Sequence, residues 1–233
     1  MPVTHRSKLS EQCVAVGWPI ERLPLVRTAQ RQWRFQDVDV ADPEEVAARH
    51  LENLGESCSW CEGGTINLLI KASALDTLSR LNLFDDRVDA IRRYLEAQFT
   101  IFAANINEVL VAVSNAKYAE VERNLREILA DPFIQDAYPR VKLSFAAALF
   151  QALGRDKLLE IAGRFVLKPY DYRSGWPDLT VIGQHGVRFV EVKTTDRLHE
   201  SQIRFATEIA KPLQLSCSVL QVIPLRDDDR TEA

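Results

Sequence analysis

The sequence predicts an α+β or mixed α/β protein, a helical half followed by a smaller ββαβ half. Two observations lead there. Apolar residues recur at helical spacing from Pro43 to Phe165, and the pattern changes to β alternation after Pro169. One amphipathic helix and one more β-rich run then complete a ββαβ order.

Residues 1 to about 40 read as loosely structured, punctuated by Pro19 and Pro24. Only Trp33 to Val40 alternates there like a short strand. From Pro43 a helix carries Val46, Ala47 and Leu51, with Gly55 as its stop. Glu56 to Glu62 reads as a loop, and Gly63-Gly64 opens a long apolar helix through Ile66, Leu69, Ile70, Leu75, Leu78 and Leu81. Helices are expected over Asp86 to Phe99, over Tyr118 to Leu129 with Pro132 as a stop, over Val141 to Leu153 with Gly154 as C-cap, and over Asp156 to Phe165. Strands are expected over Asp178 to Ile182 and Val187 to Lys193, joined by the turn Gly183-Gln-His-Gly186. An amphipathic helix from Glu200 to Leu213 follows, with Ile203, Ala206, Ala210 and Leu213 facing inward, then a strand from Ser216 to Leu225. The chain thus divides into an extension (1–42), a helical part (43–168), a ββαβ core (169–225) and a polar tail (226–233).

The composition is that of an ordinary globular protein. Of 233 residues, 46% are hydrophobic and 27% charged, which excludes collagen-like, mucin-like and fully disordered classes. The length is ample for a real core. Met1 to Val14 has no apolar signal region, and no apolar run approaches the ~20 residues of a membrane span. Four cysteines make no disulfide framework in a chain this long, so a reducing cytoplasm is the expected setting, at the nucleoid in a prokaryote.

The net charge of −4 argues against a protein that coats nucleic acid over its whole surface. The charge is unevenly spread, however. Residues 154 to 215 hold ten Lys or Arg and eight Asp or Glu, a net of +2. The expectation is a local, mildly basic contact region, with any broad basic platform supplied by a second subunit or a partner.

The strongest chemical signal is the register of the predicted hairpin. A two-residue turn at Gln184-His185 pairs Gly183 with Gly186, which sets Asp178 opposite Glu191. Their Cβ atoms are then roughly 4.5–5.5 Å apart on one face. Lys193, two residues past Glu191, shares that face, while Leu179, Val181, Val190 and Val192 point the other way. Like charges directly opposite are destabilising. Two neutralisers suit the pair: a hard divalent cation, which prefers oxygen ligands, or Lys193 as a plain salt bridge. With a cation bound, such a trio has what phosphodiester hydrolysis needs, and Lys193 would orient water and stabilise phosphate charge.

The run Gly175-Trp-Pro-Asp178, then Glu191-Val-Lys193, then Asp196, Leu198 and Gln202 resembles the VRR-NUC branch of the PD-(D/E)XK nucleases, and within it the nuclease module of the Fanconi-associated nuclease family. Cys61-Glu-Gly-Gly-Thr65 is similar to the Glu-Gly-Ser/Thr segment that opens that module, and Tyr118 to Ile128 is similar to its helical counterpart. The resemblance spans roughly residues 43 to 225. It implies a PD-(D/E)XK nuclease core and a Mg²⁺- or Mn²⁺-dependent hydrolase of flapped, branched or free-ended DNA, with a role in DNA repair. Glu62, Asp178 and Glu191 are the implied metal ligands, with the Val192 carbonyl as a further one. Lys193 is the implied catalytic lysine, and Gln202 the glutamine that supports the site. The chain departs from the family at Tyr170 and Ser201, where crosslink-repair members carry basic residues for a DNA 5′ phosphate, and in a shorter Thr194-Thr195 linker. Three rival readings are a homodimeric resolvase of Holliday-type junctions, a catalytically silent DNA-binding scaffold and a hydrolase directed at RNA or another phosphoester.

The remaining chemistry-bearing residues have bland readings beside functional ones. Cys58-x2-Cys61 lacks two further zinc ligands nearby and reads as ordinary thiols. His5, His50, His185 and His199 show no ligand spacing; His185 reads as a turn residue and His199 as a helix start. Asp196 reads as a turn or cap residue, or as a fourth acid. Arg173 and Arg197 flank the two site loops and are candidate phosphate contacts or solvated surface. Trp176 packs over the hairpin or stacks on a base.

Overall fold

The computed structural model describes residues 8–82, 86–194 and 197–225. The polar tail, Asp196, Thr195 and His5 lie outside them.

The expected loose N-terminus is instead part of the sheet. Helix α1 (Lys8–Val16) leads into β1 (Ile20–Arg27), and β2 (Trp33–Phe35) and β3 (Val38–Val40) follow as a small antiparallel ribbon. β1 runs parallel to the last strand, β7 (Ser216–Pro224), from Ile20 opposite Val219 to Leu25 opposite Pro224. Its pairing with β2 begins only at Val26, so Pro24 sits where β1 is an edge strand and a missing N–H is tolerated. Helix α2 (Pro43–Asn53) comes next, with Val46, Ala47 and Leu51 buried as its spacing requires.

The segment read as a loop holds a short strand, β4 (Ser57–Trp60), antiparallel to β5 (Leu179–Gly183). β6 (Gly186–Lys193) pairs antiparallel with β5 and parallel with β7. The result is a seven-stranded mixed sheet in the order β3-β2-β1-β7-β6-β5-β4, larger than expected.

The helical part covers one face. Helix α3 (Gly64–Leu81) is its buried axis. The single helix expected over Asp86 to Phe99 is two, α4 (Arg87–Arg92) and α5 (Leu95–Ile101). The break has a physical cause. The buried Lys71 ammonium donates to the Ile91 and Arg93 carbonyls at 2.5 and 2.6 Å, and Gln98 Nε2 donates to the Ala90 carbonyl at 2.8 Å. Carbonyls that lose helical partners at a C-terminus need such donors. Helix α6 (Ile106–Asn115) was not anticipated; α7 (Tyr118–Ala130) was. Pro132 ends α7 as expected but also starts α8 (Pro132–Ala137), where the Asp131 carboxylate accepts the Phe133 N–H at 3.0 Å. Helices α9 (Leu143–Leu153) and α10 (Arg155–Phe165) are separated by Gly154 at φ +80°, and α11 (Pro169–Tyr172) follows. The last helix, α12 (Glu200–Phe205), continues as a π-helical turn over Ala206–Ala210. That turn shifts the inner face: Gln202, Phe205, Ala206, Ile209 and Ala210 are buried, while Ile203 and Leu213 are half-buried.

Two cores sandwich the sheet. Leu179, Val181, Val190 and Val192 pack with Leu220, Val222 and the buried face of α2, as the alternation predicts. Phe189, Cys217 and Val219 pack on the other side with the helical part and Trp176. No single helix among the described residues is long and apolar enough to cross a membrane.

Candidate active site

The β5–β6 hairpin has the register expected, from Gly183 opposite Gly186 to Leu179 opposite Val190. Asp178 lies one step past the last pair, where the backbone ladder ends. Its carboxylate continues the ladder: Oδ2 accepts the Val192 N–H at 2.8 Å. Its main-chain carbonyl accepts the N–H groups of Cys61 and Glu62, at 3.3 and 3.5 Å. One residue therefore ties the end of β6 to the turn between β4 and α3.

That turn needs unusual backbone. Glu62 has φ +45° and Gly63 has φ +79°, two consecutive left-handed residues. A Cβ on Gly63 would fall 2.4 Å from Trp176 Cγ, so glycine alone permits the approach. Gly175, at φ +86°, does the same on the other side, where a Cβ would meet the Ser201 carbonyl oxygen at 2.1 Å. Trp176, between these loops, is packed and not available for base stacking. It is 2% exposed, its ring lies 4.6 Å from Phe205 and 5.7 Å from Phe189, and its Nε1 donates to the Tyr172 carbonyl.

Glu191 is the buried centre of the cluster, its side chain 1% exposed. Oε1 accepts from Lys193 Nζ at 2.6 Å and from Gln202 Nε2 at 2.5 Å. Oε2 is buried and meets no N–H or hydroxyl donor, and the Glu191 carboxyl lies within hydrogen-bonding reach of the Asp178 carboxyl. The salt-bridge alternative is thus realised, but it satisfies only one of the two oxygens. Gln202 is itself fixed, because its Oε1 accepts the His199 N–H at 2.8 Å in a capping-box arrangement. His199 is accordingly a helix-start residue.

The electrostatics are those of two buried acids that share one cation, Lys193. Burial, and then the Asp178 charge, push the Glu191 carboxyl up to about 8 against the opposing pull of Lys193. Burial also raises Asp178 to about 6; the charges of Glu44 and Glu62 add to this, while the Val192 N–H and Lys193 oppose it.

A cleft of about 340 Å³ collects these groups, with Asp178, Glu191, Val192, Lys193, Gln202 and Glu62 in its walls. Six of the residues singled out in the sequence therefore converge. Glu44 also lines the cleft and was not anticipated. It sits in the first turn of α2, where an acid reads as an ordinary partner of the helix dipole; only the fold carries it to Asp178. The arginines stand outside the cleft. Arg173 bonds Glu96 at 3.2 Å and lies 5.6 Å from the Tyr170 ring. Arg197 is exposed and lines an adjoining cavity of about 690 Å³ with Lys8, Gln12 and His199. Cys58 and Cys61 are free thiols with separate surroundings: Cys58 packs on the α2-side core, whereas Cys61 Sγ lies 2.9 Å from Thr65 Oγ1.

The donor chemistry fits a hard divalent cation. Two buried carboxyls raised by burial and set against each other, with no donor on Glu191 Oε2, are what such an ion would relieve. Among the described residues, no three His, Cys, Asp or Glu side chains close into a complete metal cluster. Asp178 and Glu191 are the preset pair, and Glu62 lines the same cleft.

The sequence matches no protein-family model, and no curated protein matches it. Solved structures do share its fold. paFAN1 bound to DNA with a 2-nucleotide 5′ flap and a gap superposes with a TM-score of 0.65 at 18% identity, over 97% of this chain and 40% of that one. paFAN1 bound to DNA with a 1-nucleotide 5′ flap and a gap gives 0.60 at 19% identity, over 90% and 38%. The resemblance expected from the motifs thus holds at the level of fold, and it includes the N-terminal strands. The chain spans about 40% of the length of the first of these.

Proposed function

We propose that this chain is a divalent-metal-dependent DNA nuclease that hydrolyses phosphodiester bonds at flapped or branched DNA. The observation that carries the reading is the set Asp178, Glu191 and Lys193 in one cleft, with the two buried carboxyls against each other and no donor on Glu191 Oε2. The fold shared with paFAN1, whose structures hold 5′-flap DNA, supports the choice of substrate.

Asp178 and Glu191 would hold Mg²⁺ or Mn²⁺, with Glu62 and the Val192 carbonyl, which line the same cleft, as further ligands. A divalent ion held there would supply charge neutralisation at the phosphate and lower the pKa of the attacking water. Lys193, anchored on Glu191 Oε1, orients that water and stabilises charge on the phosphate. Gln202 is a positioning residue. It aims Glu191 while its own orientation is set by the His199 N–H. Arg173 and Arg197, on the flanks, contact phosphates of the bound strand.

The test is the purified chain with Mg²⁺ or Mn²⁺ on labelled single strand, duplex, 5′ flap, 3′ flap and four-way junction. Cleavage is expected on flapped or branched substrates and is expected to be lost in Asp178→Ala and Lys193→Ala, which retain DNA binding. Binding without cleavage of any substrate would instead make the chain a scaffold. Cleavage at the parental rate in either variant would overturn the site.

A further inference from the structure

Glu62 borders a second cavity on the far side of its turn. It measures about 260 Å³ and is lined by Trp60, Cys61, Glu62, Tyr138, Pro139 and Arg140. One wall is the end of β4; the other is the turn after α8. The Arg140 guanidinium carbon lies 3.5 Å from the centroid of the Trp60 ring, directly over its face. Arg140 is half-exposed, and its contact with the Asp42 carboxylate is long, at 4.0 Å. A guanidinium is thus held over an indole face, in a cavity that a phenol also lines.

These groups share one ligand chemistry. Indole, phenol and guanidinium planes all stack on nucleobases and do so with little regard to sequence. The cavity has room for one planar ring system and is too small for a base pair with its backbone. It opens beside Glu62, which also walls the acid cleft. Glu62 lines both cavities and Trp60 is two residues from it in the chain, so one strand can place a base in one cavity and a phosphate in the other.

We propose that Trp60, Tyr138 and Arg140 form a subsite for one unpaired nucleobase of the strand whose phosphate occupies the acid cleft. This deepens the nuclease reading and rests on it. The subsite selects for strands with a base free to leave its stack, which flaps and branch points supply and continuous duplex does not.

Tryptophan fluorescence tests the proposal on the unaltered protein. Trp18, Trp33 and Trp176 are at most 6% exposed, whereas Trp60 is half-buried, so quenching by a bound base reads Trp60. The probe is a 5′-flap duplex in EDTA, with each nucleotide near the branch replaced in turn by an abasic residue. One position is expected to abolish the quench and weaken binding about tenfold. Arg140→Ala is expected to weaken the intact probe by a similar factor and leave that abasic probe unchanged. Trp60→Phe keeps the stacking plane, so it should bind as the parent does without the quench. The proposal is overturned if no abasic position matters, or if Arg140→Ala weakens intact and abasic probes equally. In that case the Trp60–Arg140 stack only pins the turn after α8 to β4. A parent that cleaves flaps yet ignores the abasic scan sinks the subsite alone; a parent that binds no DNA sinks both readings.

Discussion

Gln202 holds Glu191 from a helix that Gln202 itself helps to start: its Nε2 donates to Glu191 Oε1 at 2.5 Å while its Oε1 accepts the His199 N–H at 2.8 Å. The carboxylate at the end of β6 and the first turn of α12 are therefore one hydrogen-bonded unit, and the two functions of Gln202 separate by substitution.

Gln202→Ala removes both bonds. It is expected to cost about 2 kcal/mol in urea unfolding, since a buried charged acceptor and a helix-start donor each lose a partner. Gln202→Glu keeps an acceptor for the His199 N–H but sets a third acid against Glu191. It should keep the cap and still lose activity. Equal activity in the parent and the glutamate variant would show that Gln202 serves only the helix.

The buried acids destabilise the metal-free fold. Glu191→Gln keeps an oxygen for Lys193 and Gln202 and removes a charge whose burial raises the parent carboxyl to about 8. Asp178→Asn likewise keeps an acceptor for the Val192 N–H. Both variants are expected to melt at or above the parental temperature in EDTA. Mn²⁺ should raise the melting temperature of the parent, by about 2.7 kcal/mol of stabilisation at a hundred times its dissociation constant, and should leave both variants unmoved. A parental response to Mn²⁺ in either variant would remove that residue from the ligand set.

Legibility in the sequence followed the strength of periodic patterns. The hairpin was readable because a two-residue turn and a period of two fix every partner, so the convergence of Asp178, Glu191 and Lys193 followed from counting. Helices α3, α7, α9 and α10 were readable from their apolar spacing. β1 was not: Leu23 is its only fully buried residue, and Pro24 interrupts it. β4 was missed because Ser-Cys-Ser-Trp carries no apolar alternation, although it forms a full edge strand against β5. The break between α4 and α5 is answered by Lys71, a residue 20 positions from Ile91, which no local window contains. Glu44 and the Trp60–Arg140 stack arise from long-range packing of the same kind.

Lys71 gives a pH signature remote from the site. Burial lowers its ammonium to about 7 from the ordinary 10.5, against the opposing charges of Glu96 and Asp89. Between those values the unfolded chain holds one proton more at this group than the folded one, so the Lys71 contribution to stability rises with pH across that window. The slope from this group approaches about 1.4 kcal/mol per pH unit. Lys71→Met removes the slope and, by taking donors from the Ile91 and Arg93 carbonyls, lowers stability throughout. Urea unfolding of both proteins at pH 7, 8 and 9 checks this; parallel stability curves would place the Lys71 ammonium near its ordinary value.

Gly175→Ala tests whether backbone approach alone sets the site. At φ +86° a side chain is already strained, and its Cβ would stand 2.1 Å from the Ser201 carbonyl oxygen. The loop must then move off α12. Asp178 is three residues along that loop, and Gln202 follows Ser201, so both sides of the Asp178–Glu191–Gln202 set separate. The expected loss of stability is about 1–3 kcal/mol, with cleavage abolished although no polar side chain has changed. Gly163→Ala is the control. Gly163 lies inside α10 with nothing within 4 Å of an added Cβ, so alanine there should be neutral or stabilising by up to about 1 kcal/mol, with parental cleavage. If Gly175→Ala folds and cleaves as the parent does, the contact between its loop and α12 is not what positions Asp178.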